Sequence, residues 1–432
     1  MELQAKVLSL IVFALTYVFI VVFYHRKMIV VWVGVGLLLA LNLLGLGALG
    51  PRRALGAVDW NVILLYFGML LVSEVFLFSK MPDYLATVLT RGARRVGGAM
   101  VLLCLFSGFL SIALENVAVV LLLAPVALAI ARKCDVPPVP LFVGIAVSSN
   151  LQGAATLIGD PPSMLLAGFA RLDFNDFFFY GGRPGIFFAT QVGAVVSALV
   201  LMVVFRRYNR KMPTIPREPY LSAVPTYLVG GLIATLVAGS SFDHGFEYMT
   251  GSLCAAFGLL CLAWYLARTR GRGLSSFLKA LDWQTGVFLI GIFALVESLS
   301  AVGVMEDLAD LMLRVAGGRP FTIYMMVVWL SVLISGFVDN VPFLVAMLPV
   351  MQIITTRLGV SPYLFYVGLL LGASVGGNIT PIGATANIVA MGILRKQGQR
   401  AGFWEFMRIG LPFTVFAVAS ASLFNWIVFR SS

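Results

Sequence analysis

Two stretches of this chain carry the same unusual pattern, and any fold must accommodate both. The first, Ser111–Gly168, sets Leu114-Glu115-Asn116-Val117 before an apolar run to Pro125. It continues with Ser149-Asn150-Leu151-Gln152-Gly153, then Thr156, Ile158-Gly159 and Asp160-Pro161-Pro162. The second, Ser335–Gly392, sets Val338-Asp339-Asn340-Val341 before a run to Pro349. It continues with Ser374, Gly376-Gly377-Asn378-Ile379-Thr380, Ile382-Gly383-Ala384-Thr385 and Asn387. One spacing, 224 residues, carries Ser111 to Ser335, Glu115 to Asp339, Asn116 to Asn340, Pro125 to Pro349, Gly153 to Gly377 and Thr156 to Thr380. Each copy places a carboxylate–amide pair and a Gly/Pro/Thr-rich interruption inside sequence apolar enough to span a bilayer. Helix-breaking backbone is tolerated at membrane depth only where protein buries it or where it lines a wet cavity. Carboxylates there are costly and mark ion or proton pathways. Matched, interrupted segments in two halves point to the midplane site of a secondary transporter.

Composition agrees. Of 432 residues, 60% are hydrophobic and 11% charged, with a mean hydropathy of +0.98; soluble domains are about a quarter charged. The charges gather in short loops between apolar stretches of roughly 20 residues, the helix length that crosses about 30 Å of hydrocarbon. The lipid bilayer is therefore the expected environment. A net charge of +11 would suggest nucleic acid in a soluble chain. Here it fits cytoplasmic loops rich in Lys and Arg, and no nucleic-acid partner is expected. Cys104, Cys134, Cys254 and Cys261 include no Cys-x-x-Cys pair, which argues against a disulfide framework or a structural metal site. No cofactor is expected beyond Na⁺ or H⁺ as coupling ion. His25 and His244 lie in loops and supply neither a metal-ligand cluster nor a Ser-His-Asp constellation, so the chain does not read as an enzyme. Val7–Phe23 lacks a cationic leader and an Ala-x-Ala site and reads as a retained helix.

The expected fold is an all-α polytopic membrane protein of two inverted repeats, each with three spans, a re-entrant hairpin, a broken helix and a closing span. The first repeat, residues 1–205, has spans near Val7–Tyr24, Met28–Leu49 and Val58–Ser79, then a loop over Lys80–Gly98. A hairpin over residues 99–131 turns at Ala113–Val117, a helix over 139–168 breaks at Gln152–Pro162, and Ile186–Phe205 closes the repeat. Residues 206–223 form a basic, Pro-rich cytoplasmic linker. The second repeat, residues 224–432, has spans near Val224–Ser240, Thr250–Ala267 and Gly286–Ala301. Its hairpin covers 322–356, its helix over 363–394 breaks at Gly376–Asn387, and Leu411–Phe429 closes it. At a spacing of 223, Asp59-Trp60 also matches Asp282-Trp283, Gly68 matches Gly291 and Glu74 matches Glu297. The Phe- and Asp-rich loop Asp173–Tyr180 is expected to be an interfacial turn, and its Phe174-Asn175-Asp176-Phe177 resembles Phe403-Trp404-Glu405-Phe406.

Loop charge tests for inversion. Lys80–Gly98 carries four cations and one acid, while its counterpart Gly303–Arg319 carries Arg314 and Arg319 against Glu306, Asp307 and Asp310. The linker and Arg268–Lys279 are cationic, whereas Asp243–Glu247 between them has acids and no Lys or Arg. Placing cationic loops inside puts Lys80–Gly98, the linker, Arg268–Lys279 and Arg395–Arg408 in the cytoplasm and both termini outside. Hairpin one then enters from the cytoplasm and hairpin two from the opposite side.

At each hairpin tip an Asn at the start of the returning helix can cap unpaired amides or bind a substrate oxygen. Carbonyl and Asn oxygens can also coordinate a hard cation such as Na⁺. Glu115 and Asp339 either neutralise that cation or carry protons, since desolvation favours the neutral acid. Otherwise they merely cap the helix. The breaks form the opposite wall: Gly153 and Gly377 allow close backbone approach, and half-helix ends offer amides and carbonyls. Asn150, Thr156, Asn378, Thr380, Thr385 and Asn387 are expected to face the cavity. Asp160 caps the second half-helix or adds a third charge; Ala384 holds its matched position, which favours the cap. Glu74 and Glu297 are candidate proton relays or interfacial snorkels.

At these residues the chain resembles a known family. Asn116–Val126, Ser149–Pro162, Asp339-Asn340-Val341-Pro342 and Gly376 through Asn387 are similar to the ion transporter superfamily, in its arsenite permease and sodium–proton antiporter (ArsB/NhaD) branch. The superfamily also holds divalent anion–sodium symporters, citrate carriers and the P protein. The resemblance implies a scaffold domain, a transport domain of hairpins and broken helices, elevator-type alternating access, a homodimer and a place in the inner (cytoplasmic) membrane. It also implies a soluble ATPase subunit as a candidate partner. Where the symporters carry Ser-Asn-Thr at the tips, this chain has Glu115-Asn116-Val117 and Asp339-Asn340-Val341; only the Asn carries over. Two tip acids would repel a dianion. They favour a cation, a proton or a neutral polyhydroxyl such as As(OH)₃, the form of arsenite at neutral pH. Relatives in the arsenite branch often have Asp at both tips, so Glu115 is a longer-armed departure. The expected function is proton-coupled efflux of arsenite or antimonite, with Na⁺/H⁺ antiport and organic-anion symport as alternatives. Asp339→Asn is expected to abolish coupling while leaving the fold intact.

Overall fold

The computed structural model describes residues 2–23, 26–213, 219–242, 248–399 and 401–430. His25, His244, the acids Asp243 and Glu247, and Arg217 of the linker lie outside the described residues.

The first half runs α1 (Glu2–Val22), α2 (Lys27–Leu43), a short α3 (Pro51–Gly56), α4 (Trp60–Phe78) and an amphipathic α5 (Met81–Arg91). A helical hairpin follows, α6 (Val96–Ser111) and α7 (Asn116–Cys134), then a broken pair, α8 (Pro138–Gly153) and α9 (Pro161–Ala170), and α10 (Ile186–Phe205). The second half repeats the order: α11 (Val224–Phe242), α12 (Met249–Thr269), α13 (Leu274–Ala280), α14 (Trp283–Ser300), α15 (Val304–Val315), α16 (Pro320–Ser335), α17 (Asn340–Leu358), α18 (Pro362–Gly376), α19 (Thr385–Lys396) and α20 (Phe403–Phe429). From α3 and α13 through α9 and α19, equivalent helices start 223 or 224 residues apart. Among the described residues, ten helices are long and apolar enough to cross a membrane. The fold is that of an all-α polytopic membrane protein.

The local reasons are visible in the caps. The matched Asp-Trp pairs are helix starts: Asp59 accepts from the Val62 amide and Asp282 from the Thr285 amide, each at 3.1 Å. Such caps satisfy amides that have no partner within the helix. Pro320, Pro138 and Pro362 open α16, α8 and α18 at the first helical position, where a missing N–H costs nothing.

Four segments correct the expected layout. Lys80–Gly98 and Gly303–Arg319 are not simple loops but contain α5 and α15, α13 occupies much of Arg268–Lys279, and α3 precedes α4. In α15, Met305, Ala309 and Met312 are buried while Glu306, Asp307 and Arg314 are not. That is a helical stripe, which window-averaged hydropathy erases. The expected turn Asp173–Tyr180 contains a 3₁₀ turn at Asn175–Phe177 and one strand of a two-residue ribbon, Phe179–Tyr180 paired with Arg183–Pro184. The first hairpin turns over 112–115, ahead of the expected Ala113–Val117, and α20 begins at Phe403, well before Leu411.

The two halves are interleaved rather than side by side. α2 packs on α14 and α12 on α4; α9 packs on the second hairpin at α17, and α19 on the first at α7. A Cβ at Gly68 would collide with the Cys254 carbonyl, and one at Gly258 would lie 2.8 Å from the Gly68 oxygen. The α4 and α12 backbones therefore touch, as small residues permit in membrane helices. At the centre, α8 is buried along its whole length and α18 from Tyr363 onward. The side chains of the breaks next to them must find partners inside the protein.

Candidate functional site

Each hairpin tip is fastened to the broken helix of its own half by a matched hydroxyl. Thr156 donates to the Ile112 carbonyl and Thr380 to the Gly336 carbonyl. Both carbonyls belong to the tip turns, where the last groups of a helix lack partners. The two threonines thus lock tips to breaks instead of standing open to a cavity.

The tip acids cap the returning helices. Glu115 accepts from the Ala118 amide at 3.2 Å and Asp339 from the Val341 amide at 3.1 Å. Beyond that shared role their surroundings diverge. Asp339 is buried and forms an ion pair with Lys27 of α2, Nζ to Oδ2 2.5 Å. The same ammonium sits 4.7 Å from the centroid of the Phe288 ring, a cation–π distance. Glu115 is half-buried and has no ion pair among the described residues; Asp282 and Asp160 are the acids within electrostatic range of it. The neighbouring amides differ too. Asn116 Oδ1 accepts from Ser111 at 2.5 Å and lies so close to Gly153 that a Cβ there would overlap it. Ser335, the counterpart of Ser111, turns to the Ala373 carbonyl instead. Asn340 is half-buried and its amide makes no hydrogen bond among the described residues.

The breaks meet at the centre. Asn150 Nδ2 donates to Asn378 Oδ1 at 2.7 Å and to Asn387 Oδ1 at 3.0 Å. Asn378 donates to the Val147 carbonyl (3.0 Å), and Asn387 to the carbonyls of Gly377 and Thr380 (both 2.9 Å). All three amides are buried, so this knot joins the two halves through bonds that would be expensive to leave unmade. Asp160 does two jobs. One oxygen caps α9 by accepting from Ser163 N at 3.0 Å, and the other accepts from the Ser374 hydroxyl of the opposite half at 2.6 Å. Thr385 begins α19 and is half-buried. A Cβ at Gly377 would lie 2.7 Å from the Gly383 carbonyl oxygen, so the close approach there is backbone to backbone.

The remaining candidates stand apart. Glu297 pairs with Arg53 of α3 at 2.5 Å, whereas Glu74 is half-buried in α4 without an ion pair among the described residues. A cleft of about 900 Å³ between the α3–α4 turn, the end of α9 and the start of α12 is lined by Asp59, Asn61, Arg171 and Asp173. No tip residue opens onto it. Sequence reasoning missed Lys27, Ser374 and the nearness of Asp282 to Glu115. Asp282 and Ser374 sit in matched motifs and could have been found. Lys27 gave no signal, because a cation at the start of a span reads as an interfacial flank.

Comparison with known proteins places this arrangement. The sequence profile of the citrate transporter family (CitMHS) matches residues 17–354 and 252–432. An uncharacterised transporter of Mycobacterium tuberculosis is 31% identical over 385 residues, covering 86% of each chain. The P protein of Homo sapiens is 26% identical over 456 residues, covering 86% of this chain and 54% of its own. Among solved structures, the Alcanivorax borkumensis YdaH transporter superposes with a TM-score of 0.59 at 16% identity, over 87% of this chain and 86% of that one. MtrF of Neisseria gonorrhoeae superposes with a TM-score of 0.54 at 15% identity, over 88% and 83%. At those identities the likeness is one of fold. The family and its relatives are transporters, not enzymes. The resemblance drawn from the motifs thus resolves to this family, and nothing singles out the arsenite permease branch. The chain belongs to the citrate transporter family and is a multi-pass secondary transporter of small solutes.

Proposed function

We propose that this transporter couples a monovalent cation to the movement of a small uncharged solute, and that its activity is proton-coupled efflux of arsenite or antimonite across the cytoplasmic membrane. The observation that carries this reading is the charge around the tips. Asp160 and Asp282 lie within electrostatic range of Glu115 at the first tip, and at the second tip Asp339 is already paired with Lys27. A di- or tricarboxylate would meet like charge there in a medium that screens poorly. Neutral As(OH)₃ can donate to carboxylates and accept from Asn amides without a thiol, and the four cysteines are buried elsewhere as free thiols.

In this reading the two inverted repeats, residues 1–205 and 224–432, supply a transport body from α6–α9 and α16–α19. It slides in elevator fashion against α1–α4 and α11–α14, in a homodimer. Glu115, Asn116, Asp339, Asn340 and the break glycines Gly153 and Gly377 form the site, with Asn150, Asn378, Asn387, Thr156, Thr380 and Thr385 holding its shape. A second reading, organic-anion symport, is favoured by the citrate description of the family. A third, Na⁺/H⁺ antiport, would use the same acids. Proteoliposome flux separates them. Arsenite-stimulated proton movement, absent with Na⁺ or citrate, is the expected result; Na⁺-driven alkalinisation without arsenite would select antiport, and accumulation of labelled citrate would select symport.

A further inference from the structure

The two tips match in sequence but not in charge. Lys27 and Asp339 have side chains only 12% and 6% exposed, so this is an interior ion pair, not a solvated one. Its partners belong to different bodies: Lys27 to the outer helix α2, Asp339 to the hairpin formed by α16 and α17. Beside them the Tyr17 hydroxyl of α1 is buried without a hydrogen-bond partner among the described residues, within electrostatic range of Asp339. Asn340, next in the chain, has an amide with no bond among the described residues. Among the described residues nothing equivalent serves the first tip: Met249 opens α12 where Lys27 opens α2, and Glu115 has no ion pair there.

We propose that Lys27 is a tethered counter-ion: it fills the cation position of the second tip and is displaced from Asp339 by a free monovalent cation before that hairpin leaves α2. The inference deepens the proposed transport reading, relying on it only for which body moves. Separating this interior ion pair without replacement leaves the Asp339 carboxylate without its counter-charge in a poorly screening medium. A free cation arriving at Asp339 avoids this. The carboxylate, the unpartnered Tyr17 hydroxyl and the Asn340 amide oxygen are the hard oxygen ligands a small cation uses. The released ammonium keeps the Phe288 ring face as a resting place. Among the described residues tip one has no such ion pair to displace, so only the second tip is gated by the protein's own charge.

The test uses purified full-length protein in detergent without solute, so a failed arsenite assay and a failed displacement are separate results. Melting is followed in Na⁺ against choline at equal ionic strength, and in choline at acid against alkaline pH. These arms distinguish a metal cation from a proton. Lys27 and Tyr17 are titratable side chains that face Asp339. In Lys27→Met the Asp339 position lies open, and the cation concentration giving half the stabilisation should fall at least tenfold from wild type. Adding Asp339→Asn should abolish that gain. If Lys27→Met responds no better than wild type, or the double variant responds as the single one does, the proposal is wrong. Should Lys27→Met not purify, Lys27→Gln retains a donor to Asp339 and answers the same question. Lys27→Arg provides the kinetic arm. A guanidinium grips both carboxylate oxygens, so the protein should melt as wild type but turn over at least tenfold more slowly; unchanged turnover would remove displacement from the cycle.

Discussion

Asp339 and Glu115 occupy equivalent turns, yet neutralising each is expected to have different structural consequences. Asp339→Asn removes the carboxylate from the interior Lys27–Asp339 ion pair, and breaking such pairs costs about 3–5 kcal/mol. The expectation from sequence that this variant folds intact does not include the partner on α2, and the ion pair replaces it with an expected loss of stability. The loss should appear as a lowered melting temperature, restored in large part by adding Lys27→Met. Glu115→Gln strands no cation and keeps an oxygen to accept from the Ala118 amide, so it should melt within about 1 kcal/mol of wild type while losing coupling in the flux assay. Gly153→Ala belongs to the same scale. Its methyl group would overlap Asn116, and forced overpacking typically costs about 1–3 kcal/mol. Displacing the tip amide should also depress transport beyond what reduced folding explains, measured per folded molecule by size-exclusion yield. Both tip acids and both amides were legible because rare polar types recur at one spacing. The ion pair was not, since its two ends lie 312 positions apart and only the folded chain joins them.

Hairpins and broken helices were legible as elements for a different reason. Glu, Asn and paired prolines have few places in apolar sequence, so a break had to fall beside them, and α8–α9 and α18–α19 break where Gly and Pro cluster. The surface helices α5 and α15 were not legible because their polar faces dominate any average. What the sequence could not say is how each hairpin is held. Part of the answer is a matched hydroxyl in each half, from Thr156 and Thr380. Replacing either with Val keeps the shape and removes a hydrogen bond to a tip carbonyl, a loss of about 1 kcal/mol. The two sites serve different hairpins, so their effects on melting should add. Strong non-additivity in the double variant would mean the tips are coupled through the asparagine knot between them.

At the scale of the whole molecule, the four cysteines are buried free thiols, two of them in helix contacts: Cys104 against Gly144 in the α6–α8 contact and Cys254 at the α4–α12 crossing. A variant with all four replaced by Ala or Ser should transport arsenite at the wild-type rate per folded molecule, and loss of flux in that variant would reinstate thiol ligation. The duplication was evident from sequence; the interleaving of its copies was not, because a repeat tells which elements are alike but not which ones touch. α2 leans on α14, α12 on α4, and Asn150 gives both its donated bonds to residues of the other copy. Neither copy is therefore a self-sufficient unit, however complete its list of helices. Cutting the gene between residues 213 and 219 and producing both pieces in one cell should give fragments that find each other and co-purify, while either piece made alone should be degraded.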